Sequence, residues 1–271
     1  MNGSTRIRTL AALGIFILLS QSTAIAMTRP PKPRIMPLGD SITWGWTILD
    51  QTGERGGYRG YLASYLKGKV DWLGRLHNGP DNAERHEGWS GYQIRRLQQL
   101  ELANAMAQQP DIVLLMLGTN DAWHPYEYDN QSTRENMLPN ITAFLEALYT
   151  MQPATKVILS TTTNIWSEGN DAIIAYNAGL PDVVAQLQLE GRQIHLVDSY
   201  ARVSFAETSV DSDGIHPNAM GYRHIADAFM SDPWLQDVRD PQSLLSSVPE
   251  PVASILLLLP VIFARRVRTI S

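Results

Sequence analysis

Residues Ile112 to Leu117 read Ile-Val-Leu-Leu-Met-Leu, six apolar side chains in succession. Neighbouring side chains of a strand point to opposite faces, so a run without alternation belongs to a strand buried on both. Such a strand needs helices packed on each side of a largely parallel sheet. The rest of the chain fits that demand. Arg34–Leu38, Lys156–Thr161 and Gln193–Val197 read as further strands, and Val70–Leu73 as another. Helical spacing of apolar residues runs through Tyr58–Leu66, Ile94–Met106, Glu135–Met151, Asn170–Leu189 and Ala219–Met230. Pro139 stands early in the third of these, and Gly179 and Pro181 interrupt the fourth.

This alternation predicts an α/β fold, a flavodoxin-like doubly wound and mainly parallel five-stranded sheet. Sites in such sheets form beyond the carboxyl ends of the strands. The 271 residues are enough for one substantial domain, expected over 34–231. There are no cysteines, so no disulfide framework and no thiolate metal site can form. The net charge is −5 without a basic run in the middle of the chain, which argues against a nucleic-acid partner.

Both ends read as export signals. Arg6 and Arg8, the apolar stretch Leu10–Leu19 and Ala24-Ile25-Ala26 have the three-part order of a secretory signal peptide, expected over 1–26. A proline-rich linker (27–33) follows. At the other end, 232–247 reads as a polar stalk. Val248-Pro249-Glu250-Pro251 then precedes the uncharged Val252–Ala264 and the basic Arg265-Arg266-Val267-Arg268. This tail (248–271) resembles a PEP-CTERM sorting signal, which implies processing by an exosortase-type membrane peptidase and an extracellular or cell-surface protein. Contact with the membrane would be transient, through the terminal segments. Trimming to residues 27–251 removes five arginines and no acid, so the charge goes from −5 to −10.

Four short blocks fall at predicted strand ends: Gly39-Asp40-Ser41-Ile42-Thr43, Gly88-Trp89-Ser90-Gly91, Gly118-Thr119-Asn120-Asp121 and Asp213-Gly214-Ile215-His216-Pro217. A serine hydroxyl is a weak nucleophile and needs a base. His216 is the candidate base, and Asp213, three residues earlier, can orient its ring. Glycine lets a backbone N–H come close to a developing oxyanion, and Asn120 offers a side-chain amide at the end of a buried strand. Together the blocks hold a nucleophile, a base, an orienting carboxylate and oxyanion donors. No Gly-x-Ser-x-Gly elbow and no His-Glu-x-x-His zinc motif occurs. No cofactor and no catalytic metal is expected.

The blocks, with Gly56-Gly57-Tyr58-Arg59 and His86-Glu87, resemble those of the SGNH (GDSL-type) hydrolase superfamily, and more finely its carbohydrate acetylesterases of the acetylxylan type. The resemblance implies Ser41 as nucleophile, His216 as base and Asp213 as its support. It also implies an oxyanion hole of the Ser41 N–H, the Gly91 N–H and the Asn120 side chain. Glu87 stands where Asn is frequent in the superfamily, which leaves Gly88 as an alternative to Gly91. Trp44, Trp46, Trp89 and Trp123 lie near the blocks, and Trp123 and Trp89 are the candidates for sugar contact. The expected partner is an acylated carbohydrate or another small ester. A lipid or aryl esterase on the same scaffold and a non-catalytic carbohydrate-binding protein are the rival readings.

Overall fold

The computed structural model describes residues 31–203 and 209–241. The predicted signal peptide and sorting tail lie outside these residues.

Among the described residues seven strands form one sheet: β1 (Arg34–Gly39), β2 (Asp71–Trp72), β3 (Leu76–His77), β4 (Arg85–Gly88), β5 (Ile112–Met116), β6 (Lys156–Ser160) and β7 (Ile194–Val197). The order is β3-β4-β1-β5-β6-β7, with β2 beside the start of β1. From β4 to β7 every pair is parallel, and only β3 runs against its neighbour. The five-stranded parallel core is therefore present. Its second-position strand, however, is β4 and not the predicted Val70–Leu73, which provides only the two residues of β2. The chain leaves β1 for one neighbour, β4, and then crosses to the other, β5. The crevice between the ends of β1 and β5 is the topological switch point where such sheets bind ligands.

Among the described residues ten helices accompany the sheet: α1 (Ser41–Trp44), α2 (Gly57–Leu66), α3 (Ile94–Leu100), α4 (Leu102–Met106), α5 (Thr119–Trp123), α6 (Met137–Met151), α7 (Asn170–Leu189), α8 (Ser199–Val203), α9 (Ala219–Met230) and α10 (Pro233–Arg239). The predicted helix Ile94–Met106 is two helices that break at Glu101. Pro139 falls in the first turn of α6, where a missing N–H costs nothing. Helix α7 runs through Pro181 without interruption. Part of the expected polar stalk is α10, whose Leu235 is fully buried.

The continuous apolar run of β5 divides between two cores. Val113 and Leu115 pack with Met36, Leu38, Ile141, Phe144 and Leu180 on one face. Ile112, Leu114 and Met116 pack with Ile35, Leu62, Tyr222 and Phe229 on the other. Burying each large side chain contributes roughly 1.5–3 kcal/mol, so the double-faced sheet is the main source of stability. At the end of β1, Gly39 sits so close to β5 that a Cβ there would lie 2.2 Å from the Met116 carbonyl oxygen. That approach brings the loops after the two strands together.

Candidate active site

Ser41 is the first residue of α1, directly after β1. Asp40 caps this helix, accepting the Ile42 N–H at 3.0 Å. The far end of α1 is held by Arg59, whose guanidinium is fully buried. It donates to the carbonyls of Thr43 and Trp44 at 2.9 Å each, to Ala83 at 2.5 Å and to the Asn78 side chain at 2.5 Å. Burial pushes its pKa down to about 10. The helix that carries Ser41 is thus fixed at both ends.

His216 Nε2 lies 2.8 Å from Ser41 Oγ, across 175 residues of sequence. Its Nδ1 lies 2.7 Å from Asp213 Oδ2. The other oxygen, Oδ1, accepts the backbone N–H groups of Ile215 (2.9 Å) and His216 (3.0 Å), which closes the turn. Burial alone would raise the Asp213 carboxyl. The hydrogen bonds from the His216 ring and these two amides outweigh it and hold the group below its ordinary pKa. Asp213 therefore stays ionised beside the imidazole. The turn is anchored by the Asp211 N–H donating to the His216 carbonyl at 2.8 Å, and by Asn218, which caps α9. A serine on an imidazole held by a carboxylate is equipped for nucleophilic acyl transfer.

The two glycines of the second block differ. The Gly88 N–H donates to His86 Nδ1 at 2.9 Å, and a Cβ at Gly88 would lie 2.4 Å from the Trp44 nitrogen. His86 is neutral, since burial and the nearby Arg59 charge push its pKa down to about 2. Gly91 has φ +76° and open space around it. Its N–H meets no acceptor among the described residues. The geometry thus leaves Gly91, not Gly88, with a donor to offer. Its loop is stitched to α5: Asn120 Nδ2 donates to the Tyr92 carbonyl at 3.1 Å, Gln93 Nε2 to the His124 carbonyl at 2.6 Å, and the Ile94 N–H to Asp121 at 3.0 Å.

Asp40 and Asp121 are both fully buried near the site. Burial raises each carboxyl to about 7, against the hydrogen bonds each accepts, and for Asp121 the Asp40 charge adds to the effect.

The tryptophans take different places. Trp89 is half-buried; its indole N–H donates to the buried Glu87 at 3.0 Å, with Arg75 over the ring at 5.2 Å. Its N–H and one face are committed within the protein. Trp123 packs on His124, ring centres 4.0 Å apart, and lines a groove of about 400 Å³. Two others were not among the sequence candidates: Trp46 lies on the His216 ring, and Trp166 stands beside Gly214 with 53% of its surface exposed. Trp46 stands among the tryptophans noted near the blocks but not among those expected at the sugar, whereas nothing in the sequence links Trp166 to the site.

A model of the GDSL-like lipase/acylhydrolase family matches residues 38–224. The chain is 30% identical over 269 residues to a multidomain esterase of Ruminococcus flavefaciens, with 83% of this chain and 32% of that protein covered. It is 27% identical to an acetylxylan esterase of Geobacillus stearothermophilus, with 76% of this chain and 96% of that protein covered. Among solved structures, a family 3 carbohydrate esterase of Clostridium thermocellum superposes with a TM-score of 0.64 at 25% identity, with 77% of this chain and 98% of that chain covered. The chain spans about a third of the multidomain relative. It belongs to the GDSL-like lipase/acylhydrolase family and is a carboxylic ester hydrolase of the GDSL type.

Proposed function

We propose that this protein is a serine esterase that removes short acyl groups, acetyl first, from carbohydrate. The observation that carries the reading is the hydrogen-bonded chain Asp213–His216–Ser41 at the sheet's switch point. His216 Nε2 takes the Ser41 proton while Oγ attacks the ester carbonyl. The oxyanion of the tetrahedral intermediate is held by the Ser41 N–H, the Gly91 N–H and Asn120. The intermediate collapses, the C–O bond to the alcohol breaks, and the alcohol leaves with the proton from His216. Water then attacks the acyl-enzyme, giving its proton to His216. The acid departs and Ser41 regains its proton. Asp213 stabilises the imidazolium in both halves.

Acetyl as acyl group and sugar as alcohol are supported by the acetylxylan esterase among the relatives. We also propose export, followed by processing of the tail near Val248-Pro249-Glu250-Pro251. This rests on the terminal motifs alone.

The test is hydrolysis of p-nitrophenyl acetate and acetylated xylan by the purified protein and by Ser41→Ala. Acetate release from both substrates, lost in the variant, is the expected result. Full activity in Ser41→Ala would sink the assignment. A maximum at hexanoyl or longer esters would favour a lipid or aryl esterase instead.

A further inference from the structure

We propose that Trp166, with the groove lined by Trp123, Arg134 and Glu168, binds the neutral sugar units that flank the ester on its alcohol side. This rests on the carbohydrate reading above and names where the glycan lies.

In acyl transfer the leaving alcohol takes its proton from His216 Nε2, so the body of the alcohol extends past the 213–216 turn. Trp166 is built onto that turn. Its N–H donates to the Gly214 carbonyl at 2.6 Å, and a Cβ at Gly214 would lie 2.9 Å from the Trp166 Cβ. Any larger residue at 214 would push the tryptophan away. The indole is half exposed, although a large aromatic left in water forgoes burial worth several times the thermal energy. What sets Trp166 apart from the other exposed apolar side chains is that its backbone is fixed to the turn that carries Asp213 and His216. An indole face suits the C–H face of a pyranose, which is flat and apolar.

The groove lies along the other side of the loop that carries Trp166. Gly169 of that loop packs on the Ala122 carbonyl, and the groove is lined by Trp123, three residues beyond Asn120, and by Glu168, two beyond Trp166. Its volume of about 400 Å³ lies in the range of small-molecule sites. Arg134 forms one side, with Nε on the Ala122 carbonyl at 2.8 Å and Nη2 on Glu168 at 3.3 Å. Guanidinium and carboxylate offer donors and acceptors to sugar hydroxyls. The lining holds Glu127 and Glu168 against the single Arg134, on a chain of net charge −5. That balance disfavours an anionic sugar such as a uronate and selects a neutral chain.

The experiment compares Trp166→Ala, Trp166→Phe and Trp123→Ala with the wild-type protein on p-nitrophenyl acetate and on acetylated xylo-oligosaccharides. The ratio of kcat/KM on oligosaccharide to that on the aryl ester should fall at least ten-fold in Trp166→Ala. KM should carry the loss, and Trp166→Phe should recover part of it. A parallel fall on both substrates, or an unchanged ratio, overturns the subsite while the esterase reading stands. A wild-type protein that cleaves the aryl ester but no acetylated oligosaccharide overturns the carbohydrate reading, and the subsite with it.

Discussion

The indole of Trp46 rests on the imidazole of His216, with ring centres 4.2 Å apart and planes tilted by 48°. Trp46 is itself braced on both sides of its peptide. Its N–H donates to the Ser41 carbonyl at 3.2 Å, and its carbonyl accepts the Tyr222 hydroxyl at 2.7 Å. The ring thus joins the segment that carries Ser41 to the segment that carries His216. We read it as a positioning residue. Trp46→Ala should lower kcat by roughly 10- to 100-fold, the scale of a misplaced catalytic group, and to the same extent on aryl and sugar acetates. Trp46→Phe should restore most of the rate. Steady-state kinetics on both substrates check this.

The two glycines of the second block should respond in opposite ways. Gly88→Ala drives a methyl group into the backbone of α1 and should yield little folded protein. Gly91→Ala meets open space and should fold, with a loss of about 1–2 kcal/mol from its positive φ. Removal of the third proposed donor, Asn120→Ala, should lower kcat by roughly 10²–10³. Soluble yield, urea unfolding and kcat separate the three cases.

Arg59 donates to the carbonyl groups of Thr43, Trp44 and Ala83 from a single buried guanidinium. Lysine has three donors on a flexible stem and cannot reproduce the planar fork. Arg59→Lys should therefore leave buried carbonyls unpaired and cost roughly 2–4 kcal/mol, read from the urea midpoint at constant slope.

Asp40 and Asp121 give the stability a pH dependence of definite sign. In the fold each keeps its proton up to about pH 7, whereas in the unfolded chain each ionises near its ordinary 3.8. Between these values the unfolded state releases protons that the native state retains. Stability should thus fall as pH rises from about 4 to 7, and level off above. Asp213, with its depressed pKa, acts in the opposite sense, and its contribution disappears only in stronger acid. Asp121→Asn keeps an oxygen for the Ile94 N–H and removes the ionisation. The variant should unfold at higher urea than the wild type at pH 8, by a few kcal/mol, and the gap should close towards pH 4.5. An equal gap at both pH values would contradict this.

The strands that hydropathy could reveal were all legible: β1, β5, β6 and β7 are apolar because helices cover both faces. Strand β4 was not, since Arg85-His86-Glu87-Gly88 looks like a surface turn. Glu87 at its centre is buried because partners distant in sequence meet it. Glu87 takes Arg75 Nη2 and Gln108 Nε2 at 2.8 Å each. That Ser41, Asp213 and His216 come together was legible because acyl transfer calls for few residue types, and Asp-x-x-His spacing suits one turn. Trp46 and Trp166 were not singled out, because the role of an indole depends on whether its face is covered. That is decided by Gly214 and His216, 48 and 170 residues away respectively.

In loop 164–169 the buried Asn164, Ile165 and Gly169 seat the segment, and Trp166, Ser167 and Glu168 between them are the part that is not buried. Trp166 is held by its own N–H, and Gly169 packs on the Ala122 carbonyl, where a Cβ would come within 2.3 Å. The side chains of Trp166, Ser167 and Glu168 can be exchanged without disturbing the buried Ile165 and Gly169 that seat the loop. A lineage, or an engineer, could therefore change what the loop offers to a substrate by rewriting three adjacent codons. The acyl-transfer machinery would be inherited intact.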